Sequence, residues 1–270
     1  MDWMFHHINL PAVNVQETRT FLRDVIGLQV GHWIYPDRPG ELHHDDDSIA
    51  YFGRANRGLH VVRSIVSFAR DNGFMHNPTV GGHIALSVPD LEVVKARLDE
   101  AGTPYSDAGV YAMSGVHQIY VYDPSFNVIE INQTVTPLPS EKLDQQDLRA
   151  EIQLRHAAIT VLDLASSITF YRDLLGLGEP TVNSRSAIFR NNGLAMCLTC
   201  LTSGYADDNA TAPTSRDPYF TLAFSDIEPV KERLDRAEIP NSGIVSDPID
   251  GRESLFVYAP SMRLMAVVGS

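Results

Sequence analysis

The pattern of apolar and polar positions along this chain contains an internal repeat. The stretch MFHHINLPAVNVQETRTFLRDVIGLQVG predicts a short apolar strand followed by a helix. Asn14 and Glu17 have the spacing of an N-terminal capping box, and Gly27 is placed to end the helix. Near the middle, LRHAAITVLDLASSITFYRDLLGLGEP repeats this pattern and places His156 at the position of His7. A repeat of this kind predicts an architecture of duplicated units.

A second pair of segments is duplicated in the same way. SVPDLEVVKARLDEAGTPYSD matches AFSDIEPVKERLDRAEIPNSG, and YDPSFNVIEIN continues in register onto YAPSMRLMAVV. Each copy predicts a strand, a helix and two or three further strands in a hairpin arrangement. We therefore predict an α+β fold of four βαβββ units in two tandem domains with cup-shaped sheets. The polar stretch TPLPSEKLDQQ predicts a linker, which gives domains at 1–136 and 152–270 and a linker at 137–151.

Composition and charge narrow the class of protein. A chain of 270 residues that is 44% hydrophobic is ordinary for a globular protein of two average domains. We find no apolar run near the roughly 18 residues of a membrane span and no signal-peptide pattern, so we expect a cytoplasmic protein without a membrane partner. The formal net charge of −13 would repel a phosphate backbone, which argues against nucleic acid. A small-molecule substrate is the expected partner, and the chain could be a monomer or a homodimer.

Three segments carry a resemblance to a known family. HHINLPAVNVQETRTFLRDVIGL, GGHIALSVPDLEVVKARLDEAG and QIYVYDPSFNVIEIN resemble the signature segments of the vicinal oxygen chelate superfamily. That superfamily includes glyoxalase I, fosfomycin-resistance proteins, methylmalonyl-CoA epimerase and the extradiol dioxygenases. With the weaker C-terminal copies, the resemblance covers nearly the whole chain. It implies glyoxalase/dioxygenase-like domains that hold one divalent metal ion at the bottom of a cup.

The resemblance implies His7, His83 and Glu130 as the metal ligands. Two neutral imidazoles and one carboxylate can hold Fe(II), Mn(II), Zn(II) or Ni(II) and leave positions open for a substrate with two adjacent oxygens. The alternative is that these are core histidines and an edge carboxylate. However, an acid between Ile129 and Ile131 in an apolar strand is costly unless it is paired or bound to metal. The joint occurrence of all three residues favours a metal site.

Two further histidines in the first half are ambiguous. The alignment places His60 in the first unit where Glu130 lies in the second. Glyoxalase I-like proteins take a fourth ligand there, usually a carboxylate, so His60 is expected to be either a fourth ligand or a partner of the site in the pocket. His6 precedes His7, and strand alternation predicts that its side chain lies outside the cup.

The second half is predicted to have lost the metal site. The alignment retains His156 and replaces His83, Glu130 and His60 by Tyr219, Ala266 and Ala195. One remaining ligand cannot hold an ion, so this half is expected to serve packing. The only cysteines, Cys197 and Cys200, are predicted to be buried thiols on opposite faces of a strand.

Oxidative ring cleavage is the favoured reaction, with Fe(II) as the favoured metal. Two histidines and a carboxylate form the facial triad of non-haem Fe(II) oxygenases. Tyr120 lies ten residues before Glu130, where extradiol enzymes place a tyrosine that hydrogen-bonds the substrate. His117 and His76 are further candidates for acid–base catalysis. Phe126 departs from the extradiol signature, which has a small residue there, and two-domain extradiol enzymes generally keep their metal in the C-terminal domain.

Two other functions remain open. A glyoxalase I-like lyase or isomerase fits a metal site in the first half of a tandem chain, although His60 is a poor substitute for a carboxylate that must also act as a base. A binding protein that sequesters a small molecule without metal is the third, and the presence of the triad argues against it.

Overall fold

Two mixed β-sheets with few helices make up the fold. In a computed structural model of the chain, the described residues are 2–35, 42–43, 47–111, 115–200, 219–247, 251–260 and 264–269. The first sheet has seven strands in the order β4-β5-β1-β6-β9-β8-β7 and the second has eight in the order β11-β12-β13-β10-β14-β17-β16-β15. The first-sheet strands are β1 (Met4–Ala12), β4 (Ile49–Arg54), β5 (Arg57–Arg63), β6 (His83–Ser87), β7 (Tyr105–Tyr111), β8 (Val116–Tyr122) and β9 (Val128–Thr134).

The second sheet repeats the arrangement of the first and adds one short edge strand. Its strands are β10 (Gln153–Val161), β11 (Thr181–Val182), β12 (Ser186–Asn191), β13 (Leu194–Cys200), β14 (Tyr219–Phe224), β15 (Asn241–Ser246), β16 (Glu253–Tyr258) and β17 (Leu264–Gly269). A separate two-stranded ribbon pairs β2 (Trp33–Ile34) with β3 (Leu42–His43). The predicted α+β fold of repeated units is confirmed. The domain and linker boundaries remain a prediction, although neither sheet takes a strand from 137–151.

Short helices flank the two sheets. They are α1 (Val15–Thr20), α2 (Phe68–Asn72), α3 (Leu91–Glu100), α4 (Ser140–Leu143), α5 (Leu164–Thr169) and α6 (Glu228–Arg236), with π-helical turns at Phe21–Ile26 and Phe170–Leu174 and a 3₁₀ turn at Leu148–Ala150. The Asn14 side chain accepts a hydrogen bond from Glu17 N, which satisfies one of the free N–H groups at the start of α1. Helix α1 and its copy α5 are each followed directly by a π-helical turn, so neither helix is α-helical to its end. Among the described residues, no helix has the length and apolarity needed to cross a bilayer.

The two halves pack through the helical faces of their sheets. A single apolar core contains side chains from both, such as Leu22, Leu98 and Leu234. Arg233 of α6 donates hydrogen bonds to the carbonyls of Val25 and Ile26 at 2.7 and 2.8 Å, so the last helix closes the end of the first. Gly27 completes this contact: its φ is 90°, and a Cβ there would lie 2.7 Å from the Arg233 guanidinium.

A buried hydrogen bond also joins the halves. The Tyr171 hydroxyl donates to Asp123 Oδ2 at 3.1 Å, and both side chains are almost fully buried. We expect Tyr171→Phe to lower the free energy of unfolding by about 1–3 kcal/mol, because the Asp123 carboxylate loses a donor that water cannot replace. Urea unfolding measures this difference. Tyr258→Phe, at the exposed end of β16, is the control, and equal losses in the two variants would contradict the assignment.

Candidate metal centre

Three side chains from three neighbouring strands converge on one point of the first cup. His7 lies on β1, His83 begins β6 and Glu130 lies on β9, and the sheet places these strands side by side. His7 Nε2 is 3.1 Å from His83 Nε2 and 3.5 Å from Glu130 Oε2, and His83 Nε2 is 3.2 Å from the same oxygen. Within the described part of the chain, this is the one group of such residues whose ligand atoms are close enough to share an ion.

Hydrogen bonds fix the direction of two of these ligand atoms. His83 Nδ1 lies 3.0 Å from the carbonyl of Pro78, which can only accept, so Nδ1 carries the proton and Nε2 presents a lone pair. Asn132 Nδ2 donates to Glu130 Oε1 at 2.7 Å, and Ser87 Oγ donates to Asn132 Oδ1 at 2.7 Å. One carboxylate oxygen is therefore held by the sheet, and the other faces the histidines.

The chemistry of this donor set fits a divalent cation. Ligand atoms bound at about 2.1 Å and at right angles to one another are about 3 Å apart, close to the observed separations. Burial, followed by the neighbouring His60, His83 and His6, holds the pKa of His7 well below its usual value, so its imidazole is neutral at pH 7 as a ligand must be. A buried carboxylate facing neutral lone pairs is costly, and a bound cation removes that cost.

His6 lies in the cup, which corrects the prediction from strand alternation. A β-bulge between Phe5 and His7 shifts the register of β1 against β6, so two successive side chains turn towards the same face. His6 is buried, lines the cavity above the ligands, and places its Nδ1 2.9 Å from His7 Nδ1. If His7 held an ion through Nε2, its Nδ1–H would donate to His6. The second half has a bulge at the matching place, between Leu154 and His156, but the sequence carries no signal that marks either bulge.

His6 is expected to strengthen metal binding by orienting His7. His6→Ala removes the acceptor of the His7 Nδ1–H, and loss of such an outer hydrogen bond typically lowers metal affinity by roughly 10–100-fold. Competition with a chromophoric chelator measures the affinity. His6→Gln, which retains an acceptor atom, is expected to recover much of the loss. An affinity unchanged in His6→Ala would show that His7 needs no such partner.

His60 lies beside the ligands without joining the convergent set. Its ring stacks on His7 with centroids 3.9 Å apart and an interplanar angle of 18°. His60 Nε2 is 3.2 Å from the carbonyl of Asn56, to which it donates. Burial, followed by nearby His6, lowers the pKa of His60 well below its usual value, so it is neutral at pH 7. Two roles were considered for His60, a fourth metal ligand and a partner of the site in the pocket. This geometry agrees better with the second role.

Tyr120 lies where the sequence places it, next to the candidate ligands. It is opposite Glu130 in the pairing of β8 with β9, and its ring centroid is 5.6 Å from that of His83. The hydroxyl accepts a hydrogen bond from Gln118 Nε2 at 2.8 Å, and both residues line the cavity. Tyr120 is therefore placed to contact a small molecule bound in the cavity.

The structure does not bring His117 and His76 into the cavity. His117 lies on β8 between two cavity residues, so alternation turns it to the helical face, where its Nε2 is 2.9 Å from Asp107 Oδ1. His76 is buried against Ser106, with Nδ1 2.6 Å from the hydroxyl, and its ring packs on Tyr122. The prediction that these two histidines act in catalysis is corrected, because local pairing occupies both rings elsewhere.

A cavity of about 300 Å³ opens above the three ligand atoms. Its floor carries the histidines, Glu130 and Tyr120, and its walls are mostly apolar. The apolar wall residues are Trp33, Ile49, Val62, Ile65, Phe68 and Val116. Among the described lining residues, Arg63 is the one cationic side chain, and it donates to the carbonyl of Asp47 at 2.6 Å. These walls suit a small ligand that is largely apolar and uncharged. Sequence reasoning missed them, because Trp33 and Phe68 lie outside the duplicated segments.

The matching place in the second half is filled by apolar side chains. The pairing of β10 with β13 places Cys197 at the position of His60 and Ala195 at that of Gly58, which corrects the alignment by two residues. The cluster that fills this cup consists of Ala158, Ala195, Cys197, Tyr219, Phe256, Leu264 and Ala266. Cys200 packs instead against the main core on the other face. No described residue of this half completes a set of three metal ligands.

Comparison with known proteins gives one similar sequence. The glutathione transferase FosA of Serratia marcescens is 31% identical over 90 residues, which cover 32% of this chain and 60% of that protein. The match thus spans less than two thirds of that relative. No family model matches the chain.

Solved structures resemble almost the whole chain. A 2,2′,3-trihydroxybiphenyl 1,2-dioxygenase from Sphingomonas wittichii RW1 has a TM-score of 0.67 at 15% identity, covering 100% of this chain and 90% of its own. An Mn(II)-bound glyoxalase from Novosphingobium aromaticivorans has a TM-score of 0.66 at 12% identity, covering 99% and 81%. At these identities the likeness establishes the fold, which is the one that the duplicated segments indicated.

Proposed function

We propose that the chain is a metal-dependent enzyme of the vicinal oxygen chelate superfamily, whose fold it shares, and that it is an Fe(II)-dependent ring-cleaving dioxygenase. Its substrate would be a small catechol- or hydroquinone-like compound. The observation that carries this proposal is an apolar cavity placed directly over two histidines and one carboxylate. That donor set is the facial triad of non-haem iron oxygenases.

The chain's own residues would have distinct roles in this reaction. His7, His83 and Glu130 would hold the iron, which when bound supplies the redox chemistry for dioxygen and binds the two substrate oxygens. The Tyr120 hydroxyl would orient the substrate through a hydrogen bond. His60 donates through Nε2 to Asn56, so its Nδ1 is a proton acceptor at the cavity wall. The apolar walls would exclude water from the bound ring.

The character of the cavity favours this reaction over the glyoxalase-like alternative. A glyoxalase I-like isomerase is expected to use a carboxylate as the base that moves a proton between neighbouring carbons, and His60 is a poor substitute for it. Glu130 is the one carboxylate among the described lining residues, and both of its oxygens are engaged, one by Asn132 and one by the histidines. A substrate with several charges would also meet a single arginine, Arg63, already bonded to Asp47.

A glyoxalase-like lyase or isomerase is the second candidate. One observation favours it: the convergent ligand set lies in the first half of the tandem chain and the matching cup of the second half is apolar. The same cavity with Zn(II), Ni(II) or Mn(II) could polarise adjacent oxygens without oxidation. Its substrate would then have to be small and weakly charged.

Metal analysis combined with oxygen uptake tests the proposal. The protein is purified without air, its metals are quantified, and an oxygen electrode follows its reaction with catechol, 3-phenylcatechol, hydroquinone and 3,4-dihydroxybenzoate. We expect about one iron per chain, and a kcat/KM at least tenfold lower for the carboxylated diol, because most of the cavity wall is apolar and its one described cationic side chain, Arg63, is exposed. Zinc, nickel or manganese without oxygen uptake would favour the second candidate. A chain that retains no metal would contradict both.

A further inference from the structure

Trp33 forms a wall of the cavity but belongs to a segment with little support of its own. Its ring centroid lies 4.8 Å from that of His60 and 5.4 Å from that of Tyr51, both in edge-to-face contact. Its strand is two residues long, and its strand pairing is to β3 in the separate ribbon rather than to the seven-stranded sheet. A two-stranded ribbon of this size is not stable alone. Contacts from outside the β2–β3 ribbon must therefore hold the Trp33 ring at the candidate metal centre.

Side chains distant in sequence hold the backbone on both sides of Trp33. Gln146 Nε2 donates to the carbonyl of His32 at 2.6 Å, and Lys142 Nζ donates to the carbonyl of Tyr35 at 2.9 Å. Both donors come from the segment 137–151 that connects the two halves. Because they bind carbonyls one residue before and two residues after Trp33, they fix the backbone from which its ring projects.

Lys142 makes this contact from a buried position. Its side chain is 1% exposed, among the most buried large side chains described. Burial of an ammonium group is costly unless its protons are hydrogen-bonded, and an apolar residue of the same length would avoid that cost. The hydrogen bond from Lys142 to the Tyr35 carbonyl fixes the position of that part of the backbone.

Gln146 also joins the Trp33 segment to the turn that holds His60. Its Oε1 accepts from Ala55 N at 2.9 Å while its Nε2 binds His32. The neighbouring Asn56 pairs through its side chain with both N and O of Ile34, and its carbonyl accepts from His60 Nε2. One glutamine thus connects the supports of two cavity walls.

We propose that Lys142 and Gln146 form a clamp through which the connecting segment positions Trp33 and sets the width of the cavity between Trp33 and His60. The inference that this width limits the substituents that a substrate can carry rests on the proposed function. The clamp itself is a structural arrangement that can be tested without turnover.

Fluorine NMR of protein labelled with 5-fluorotryptophan tests the clamp. The chain has two tryptophans, so the spectrum has two resonances, which Trp33→Phe assigns. In Gln146→Ala and Lys142→Met we expect the Trp33 resonance to shift and its H₂O/D₂O solvent shift to increase. The resonance of Trp3, buried where it donates to the carbonyl of Leu177, is expected to stay unchanged and reports global unfolding.

Matched variants make the outcome decisive. Gln145→Ala removes an exposed neighbour and is expected to leave both resonances unchanged, and Lys142→Arg, which keeps a cationic donor, is expected to restore much of the native signal. An unchanged Trp33 resonance in both folded clamp variants would overturn the proposal. A parallel change at Trp3 would overturn it as well, because the residues would then act only on overall stability.

Kinetics separates the clamp from the reaction. If the chain cleaves catechols, the ratio of kcat/KM for 3-phenylcatechol to that for catechol should change by roughly fivefold in Gln146→Ala, with metal content unaltered. An unchanged ratio despite a shifted Trp33 resonance would overturn the role in selectivity. A shifted Trp33 resonance in a protein that consumes no oxygen with any diol would support the clamp and contradict the dioxygenase.

Discussion

Replacement of His83 by alanine is expected to abolish stable metal binding and all activity that depends on the ion. The remaining His7 and Glu130 supply two protein ligands, whereas sites of this type use three. The fall in metal affinity should exceed the roughly 10–100-fold that loss of an outer hydrogen bond costs, as for His6. Metal content after gel filtration and competition with a chelator give the affinity, and oxygen uptake gives the activity.

His117→Ala is the matched control for this experiment. It also removes a histidine from a strand of the same sheet, but its ring contacts Asp107 on the helical face. We expect metal content and turnover close to those of the unmodified protein. Equal loss in both variants would indicate that the cavity histidines act through the stability of the sheet. Full metal content in His83→Ala would refute the three-residue site.

The metal-free protein is expected to lose stability steeply on acidification. Burial lowers the pKa of His6 from 6.5 to about 4, and Arg57 adds to the decrease while Glu130 opposes it. Between these two pH values the unfolded chain binds a proton that the folded chain does not, so stability falls as the pH falls. His6 alone should remove roughly 3 kcal/mol between pH 7 and pH 4. His7 and His60 act in the same direction, because their pKa values are also lowered by burial.

Urea unfolding of chelator-treated protein at several pH values between 7.5 and 4 measures this effect. In His6→Gln the part of the slope that His6 contributes should disappear, whereas His117→Ala should leave most of the slope in place. A free energy of unfolding that stays constant from pH 7 to pH 4.5 would contradict the burial of neutral imidazoles. Bound metal should make the acid loss steeper still, since protons then compete with the ion for the same nitrogens.

The apolar cup of the second half clarifies what the duplication contributes. Phe256 and Ala266 take the places of Tyr120 and Glu130 in the pairing of β16 with β17. Because Ala266 replaces the buried carboxylate of Glu130, this half has no charge at that position for an ion to neutralise. Its helical face completes the core that both halves share. The connecting segment carries the clamp on Trp33, so the tandem arrangement supports the first cup from two sides.

The sequence by itself determined the duplicated α+β fold and the convergence of His7, His83 and Glu130. The repeat predicts the duplicated units, and the resemblance of three segments to the vicinal oxygen chelate superfamily implies that these three residues meet. Tertiary structure alone decided which other side chains reach the cup. A bulge brings in His6, and contacts over a hundred residues of chain hold Trp33 in place. Strand alternation is a local rule, and it fails where a bulge or a distant hydrogen bond supplies more free energy than the local pattern does.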